Sequence, residues 1–259
     1  MTESIVFDRA ADDYDQTRGF PPGEEQRIAA MIARKAGLGA SSRLLELGVG
    51  TGRVALPLAA HVGSVFGVDL SLPMMKRLVA KRTSERVLLA QADITRLPFP
   101  ARTFDAALAV HVFHLVPRWR DAVAEVARVL RPGGRLLNAW TENFHRESWW
   151  KTWNTVLPEY KRDGGGVRMD RNRTFLLDVG WRMDGEPVSY PYAQRYSPNQ
   201  FLDGLRRRLW SSLWRLSDEV LEKSIAAVRE VLLSEHGDLD ESLDLTTTLH
   251  VGAYIPPHR

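Results

Sequence analysis

The stretch Arg43 to Ala59, RLLELGVGTGRVALPLA, constrains this chain more than any other. It opens on the apolar run Leu44-Leu45-Glu46-Leu47, the length and composition of a strand buried in a parallel sheet. Gly48, Gly50 and Gly52 then break the run, and apolar residues resume at helical spacing with Val54, Leu58 and His61. The pattern predicts strand, glycine loop and helix. Without a Cβ, the loop glycines turn sharply and let a ligand approach the backbone closely. The helix start beyond them offers unpaired N–H groups to polar or anionic parts of that ligand.

Side chains in the same stretch narrow the ligand. A dinucleotide fingerprint G-x-G-x-x-G would place its third glycine at position 53, where Arg53 stands. A P-loop would end in Gly-Lys-Ser/Thr, which is missing here. Glu46, at the C-terminal end of the strand, would repel a pyrophosphate and suits a ligand bearing an ammonium or sulfonium charge.

The motif E-L-G-V-G-T-G resembles motif I of the class I S-adenosylmethionine-dependent methyltransferases, and further segments extend the resemblance in order and spacing over about residues 43–140. Ser64 to Asp69 (SVFGVD) reads as a second buried strand ending in an acid, placed as a Rossmann-type acid is to take ribose hydroxyls. Ser71 then caps a helix from Leu72 to Arg82 with Pro73 in its first turn. A third strand, Arg86 to Ala90, leads into Gln91-Ala92-Asp93-Ile94. Leu97-Pro98-Phe99-Pro100 follows, and a fourth strand runs from Phe104 to Val110 into His111 and His114. A helix from Arg118 to Leu130 and the turn Arg131-Pro132-Gly133-Gly134 precede a fifth strand, Arg135 to Trp140.

The resemblance implies an α/β fold: a doubly wound, Rossmann-like, seven-stranded and mostly parallel sheet with an antiparallel last strand, N-terminal helices and a helical insertion. It implies S-adenosyl-L-methionine as cofactor. The methionine part would meet Glu46, Gly48 and Gly50, and the ribose would meet Asp69. Met74, Asp93 and Ile94 would surround the adenine, and Leu70 would also contact the cofactor. Tyr14 and Arg18, spaced to share one helix face, would fold over the cofactor from a Tyr-Asp…Arg segment. His111 would lie near the methyl-donor end. A catalytic residue is not assigned, because aligning the two reactants can itself lower the barrier by about 7–11 kcal/mol. His111 and His114 are the candidates for a proton acceptor.

The expected organisation is an N-terminal helical lid over 1–40, the cofactor-binding core over 41–140, a helical insertion covering the substrate over 141–185, and the C-terminal part of the sheet with inserted helices over 186–259. Within the last part, Glu186 to Tyr196 reads as a sixth strand, Ser197 to about His236 as two helices, and Asp244 to Ile255 as the final strand.

Composition bounds the function. Zero cysteines remove disulfides, thiolate metal sites and covalent cysteine chemistry, and no metal is among the expected ligands. The acidic N-terminus does not read as a signal peptide, and no apolar run is long enough to span a membrane, so the expected location is cytoplasmic. A sequence pI near 9.3 permits nucleic-acid binding. Arg206-Arg207-Arg208 near Trp210 and Trp214 is the segment such binding would use. Charge runs are more often solvated faces and tryptophans more often core, so a small-molecule acceptor is favoured over a nucleic acid. The oligomeric state is not legible. An RNA or protein methyltransferase, or a non-catalytic cofactor-binding protein, stands as the alternative.

Overall fold

The computed structural model describes residues 4, 6–8, 11, 14–156, 167 and 174–257. Within the expected helical insertion, residues 157–166 and 168–173 lie outside the described residues. Contacts divide the chain into two compact units. The first joins Met1–Trp140, Gly164–Tyr190 and Leu249–Arg259; the second joins Thr141–Asp163 and Pro191–Thr248. The units thus cut across the sequence-based bounds at 185 and 186.

The first unit follows the sequence closely. Helices α1 (Tyr14–Arg18) and α2 (Glu24–Lys35) precede strand β1 (Arg43–Leu47). The short helix α3 (Ala55–Leu58), strand β2 (Ser64–Asp69), helix α4 (Leu72–Lys81), strand β3 (Val87–Gln91), strand β4 (Phe104–Val110) and helix α5 (Trp119–Val129) come next. β1 and β4 are apolar and buried almost throughout, as expected of strands covered on both faces. β2 and β4 flank β1, with β3 outside β2 and β5 (Leu130–Asn143) outside β4, and these four pairings are parallel. The order therefore reverses between β1 and β4, which is where open α/β sheets bind ligands.

Several boundaries differ from the sequence reading. The helix after the glycine loop is a single turn, because Pro57 stands within it and Gly63 soon follows. The Arg131 to Gly134 segment does not precede β5 but sits inside it, as a bulge between the Phe104–Leu130 and Ala106–Arg135 pairs. Gly133 supplies the left-handed residue, at φ 81°. Arg131 closes the bulge with an ion pair to Asp105 at 2.7 Å.

Among the described residues the sheet has eight strands where seven were expected, in the order β3-β2-β1-β4-β5-β8-β6, with β7 also paired to β8. Strand β6 (Arg182–Met183) is too short to leave a sequence pattern; it pairs antiparallel with β8 (Leu243–Ile255). The strand expected at 186–196 is β7 (Val188–Tyr196). Lys35 of α2 donates to the Asp184 and Glu186 carbonyls, both at 2.9 Å, and so holds the turn between β6 and β7.

The second unit has its own core. Helices α6 (Phe144–Val156), α7 (Pro198–Arg206) and α8 (Asp218–His236) bury Trp149, Trp153, Phe201, Leu205, Ile225 and Val228. Ser197 and Gln200 form a capping box at α7, and Ser217 caps α8. The buried Trp149 donates its indole N–H to His236 Nε2 at 3.1 Å. Arg208 holds the Leu213 and Leu216 carbonyls and Asp218, at 2.6–2.8 Å, so this arginine folds the α7–α8 connection. Among the described residues no helix is long and apolar enough to cross a membrane.

Gly67 of β2 makes the approach of the glycine loop possible. A Cβ there would stand 2.6 Å from Val49 Cγ2. We expect Gly67→Ala to destabilise the first unit by about 1–3 kcal/mol through overpacking, measured as a lower urea midpoint; an unchanged midpoint would show that Val49 moves aside freely.

Candidate functional site: the C-terminal ends of β1, β2 and β4

Gly48, Gly50 and Gly52 all have left-handed backbones, at φ 65°, 53° and 78°. At Gly48 and Gly52 space is closed as well. A Cβ on Gly48 would meet Val112 Cγ2 at 2.9 Å, and one on Gly52 would meet Leu78 Cγ at 2.5 Å. The first of these distances brings the loop after β1 together with the segment after β4. The second sets the loop against α4. At Gly50 a Cβ would approach the Met74 methyl at 3.3 Å, which puts the predicted adenine neighbour beside the loop.

Asp69, expected to face a ribose, also has an internal task that the sequence did not reveal. Its Oδ2 accepts from the Gly50 N–H and its Oδ1 from the Ser71 N–H, both at 2.8 Å. One carboxylate thus ties the end of β2 to the glycine loop and starts α4, where the Ser71 hydroxyl accepts from Met74 N–H. Burial raises the Asp69 pKa, opposed by these backbone N–H groups. Each carboxylate oxygen keeps a further lone pair for a ligand hydroxyl.

Glu46 is buried at 3% exposure, and its Oε2 has no hydrogen-bond partner among the described residues. Burial pushes its carboxyl up to about 8, against the pull of Arg53 and with a contribution from Asp69. At neutral pH Glu46 is therefore mostly protonated. A buried polar atom left unpaired is costly, and a cationic group placed against it would remove that cost and restore the charge.

After β4 the chain turns at His111, a non-glycine residue with φ 55° whose N–H donates to the Ala139 carbonyl at 3.2 Å. A left-handed histidine is uncommon, and such strain gathers at functional sites. Burial lowers the His111 pKa well below the usual histidine value, with Arg53, His114 and Arg18 adding to the effect. Burial, then Arg18, lowers His114 to about 4. Both rings are neutral at pH 7 and have a lone pair able to take a proton.

Asp93 accepts from the Thr95 N–H at 2.8 Å and forms the turn after β3, with Ile94 buried behind it. That turn leads to the Leu97–Phe99 segment, which Glu125 and Arg128 of α5 grip. Glu125 accepts from the Leu97 N–H at 2.8 Å, while Arg128 donates to the Phe99 and Leu97 carbonyls. Leu70 lies half-buried between Asp69 and Ser71.

The N-terminal segment reaches the same place. Tyr14 and Arg18 bound α1, and Arg53 donates to the Arg18 carbonyl. The Arg53 guanidinium lies over the Phe20 ring, 4.7 Å from its centre. Asp15 accepts from the Thr51 hydroxyl and from Lys81. The sequence reading passed over Asp15, Thr51, Arg53 and Lys81 as ligands of one another. Their only signal was position: Thr51 and Arg53 flank Gly52, and Asp15 adjoins Tyr14. All eleven residues expected at the cofactor, and His114, belong to the first unit.

Comparisons with known proteins agree with this geometry. The profile of the Methyltransferase domain family matches residues 45–138. A ubiquinone/menaquinone biosynthesis C-methyltransferase from Syntrophotalea carbinolica is 39% identical over 137 residues, covering 51% of this chain and 58% of that protein. A phosphatidylethanolamine N-methyltransferase from Cereibacter sphaeroides is 38% identical over 117 residues, covering 43% of this chain and 54% of that protein. The chain thus spans little more than half the length of either relative. A Haemonchus contortus N-methyltransferase, solved with phosphomonomethylethanolamine and S-adenosylhomocysteine, superposes with a TM-score of 0.54 at 20% identity. That superposition covers 97% of this chain and 58% of the other, and shows a shared fold. Residues 45–138 thus match a methyltransferase domain, and that match spans the glycine loop and the strands that form the site.

Proposed function

We propose that this protein transfers the methyl group of S-adenosyl-L-methionine to a small-molecule acceptor by in-line displacement. The observation that carries the reading is Glu46: a buried, mostly protonated carboxyl with an unpaired oxygen, just preceding a loop whose three glycines have left-handed backbones. This is a receptor for a compact cation. The ammonium end of the methionine part suits Glu46, with the Gly48 and Gly50 backbone alongside. The ribose hydroxyls suit the remaining lone pairs of Asp69. Leu70, Met74, Asp93 and Ile94 frame the adenine, and Tyr14 with Arg18 covers the whole from α1.

In the reaction the acceptor atom bonds to the methyl carbon as the carbon–sulfur bond breaks, and the electron pair goes to sulfur, which becomes a neutral thioether. An acceptor that carries a proton must lose it. We assign its receipt to His114 or His111, both neutral at pH 7. The relatives' names include both C- and N-methyltransferases, so likeness supports a small acceptor without selecting the accepting atom. In the second unit, the use of Arg208 in folding and the burial of Trp149 and Trp153 favour this reading over a nucleic-acid substrate.

Side-by-side calorimetric titration with S-adenosylmethionine, S-adenosylhomocysteine and NAD tests the cofactor. We expect the first two to bind and NAD to give no heat; NAD alone binding would overturn the proposal. A screen of small amine, hydroxyl and carbon-acid acceptors for S-adenosylhomocysteine formation then tests the transfer.

Glu46 gives a sharper expectation. A group with pKa near 8 is mostly protonated at pH 7, so ionising it against a bound cation releases a proton. Calorimetry at pH 7 in buffers of different ionisation enthalpy should report release approaching one proton per S-adenosylmethionine. Glu46→Gln should abolish it. Equal release from both proteins would place the ionisation elsewhere. For the proton acceptor, His114→Asn should lower kcat by about 100-fold or more while leaving the cofactor affinity unchanged. A kcat within twofold of the unmutated protein would remove His114 from that role.

A further inference from the structure

We propose that Asp15 is a positioning residue: through Thr51 and Lys81 it latches helix α1 onto the glycine loop and so sets how fast the cofactor and its product leave. The inference rests on the cofactor lying over that loop. It assigns a role to a residue that contacts neither the cofactor nor the acceptor in the reading above.

Helix α1 has five residues, far fewer than an isolated helix needs to hold together in water. Its position must come from tertiary contacts: Tyr14 packs edge-on against Phe7, with ring centres 6.2 Å apart, and the Asp15 carboxylate and Arg18 carbonyl both bond to the glycine-loop region. At its N-terminal end the Asp15 carboxylate takes two donors. Oδ1 accepts from Thr51 Oγ1, and Oδ2 accepts from Lys81 Nζ at 2.6 Å. Beyond its C-terminal end, Arg53 holds the Arg18 carbonyl and covers Phe20. Thr51 and Arg53 both belong to the glycine loop, and Lys81 ends α4, which begins at the Asp69-tied Ser71.

The two arms of the latch differ physically. Thr51 is almost fully buried, at 1% exposure, and sits between two left-handed glycines, so its hydroxyl is fixed by the fold. Lys81 and Asp15 are about 40% exposed in their side chains, at 38% and 42%. An exposed ion pair is weak and salt-screened, while the bond from Thr51 comes from an uncharged and buried donor. A firm arm thereby fixes register and a soft arm adds closure. The same carboxylate holds the first turn of the helix that carries Tyr14 and Arg18. Losing it loosens that helix at its N-terminal end without touching Glu46, Asp69 or Met74.

The test is release of radiolabelled S-adenosylhomocysteine from the full chain, chased with excess unlabelled S-adenosylmethionine. Three variants are compared: Asp15→Ala, Asp15→Asn and Lys81→Met. Asp15→Ala should speed release about tenfold, the scale of one charge-assisted hydrogen bond. Lys81→Met should speed it about threefold, and Asp15→Asn, which still accepts from Thr51, should match Lys81→Met. Raising salt to 1 M should bring the unmutated protein to the Lys81→Met rate and leave that variant unmoved. Single-turnover methyl transfer at saturating cofactor should stay within about twofold, because the reacting groups are untouched.

Release within twofold of the unmutated rate in folded Asp15→Ala would overturn the latch. Faster release accompanied by a lower melting temperature of the cofactor-free protein would also overturn it, by making Asp15 a general stabiliser. If Asp15→Ala does not fold, Asp15→Asn and Lys81→Met decide the matter by the same release rates and melting temperatures. Failure of the unmutated protein to retain label would overturn the cofactor reading itself, and is distinguishable because it needs no variant.

Discussion

The carboxylate of Asp69 is the contact on which the rest of the site depends. It receives the Gly50 N–H on one oxygen and the Ser71 N–H on the other, both at 2.8 Å. Glycine in a left-handed loop carries the largest conformational entropy to be lost on ordering, so a loop with three of them needs an anchor. Asp69 supplies it from the neighbouring strand, in the low-dielectric end of a parallel sheet where an ion–N–H bond is strong. Gly67, one strand position pair earlier, clears the space for Val49. The loop, the start of α4 and the floor of the pocket are therefore set by one strand end.

Around that anchor the ionisable groups are held in their neutral states. Burial raises Glu46 and lowers His111 and His114. The same dehydration acts with opposite sign on acids and bases because it penalises whichever form is charged. Its consequences for stability also run in opposite directions. Glu46, raised from 4.5 to about 8, contributes stability that is fully present below pH 4.5 and is lost as pH rises through 8. His114, lowered from 6.5 to about 4, contributes stability present above pH 6.5 and lost as pH falls through 4. At neutral pH Glu46 thus keeps its proton while each histidine ring stays neutral.

Much of this was legible in the sequence because it is local. Leu44 to Leu47 is apolar throughout, and the glycines at 48, 50 and 52 announce left-handed backbone with no other explanation. Ser64 to Asp69 repeats the strand-then-acid pattern at the distance one crossover needs. The three-residue spacing from Ser71 to Met74 is likewise a cap that chemistry dictates. The misses are all non-local or too short. Arg182–Met183 has two residues and no periodicity, and joins the sheet only because β8 offers it an edge. The Arg131 to Gly134 segment reads as a turn because Pro and Gly favour one; pairing on both sides makes it a bulge instead. Asp15 offers no signal of its own, since an exposed aspartate is the commonest fate of that residue.

The two roles of Asp69 show where sequence reading stops in physical terms. A carboxylate at a strand end was expected to face outward to a ligand, and the motif alone supports that. It does not reveal that the same oxygens already hold the loop, because a hydrogen bond from the residue-50 N–H to residue 69 depends on how β1 and β2 pair. In the observed register Leu47 stands opposite Val68 and Glu46 opposite Gly67, so the chain leaving β1 rises just over the end of β2. A slip of one residue would turn each side chain to the other face, carrying Glu46 out of the pocket and Asp69 away from Gly50. The register that buries Leu45, Leu47, Val65 and Val68 is thus the same one that assembles the site, and selection for a closed apolar core suffices to place its polar residues.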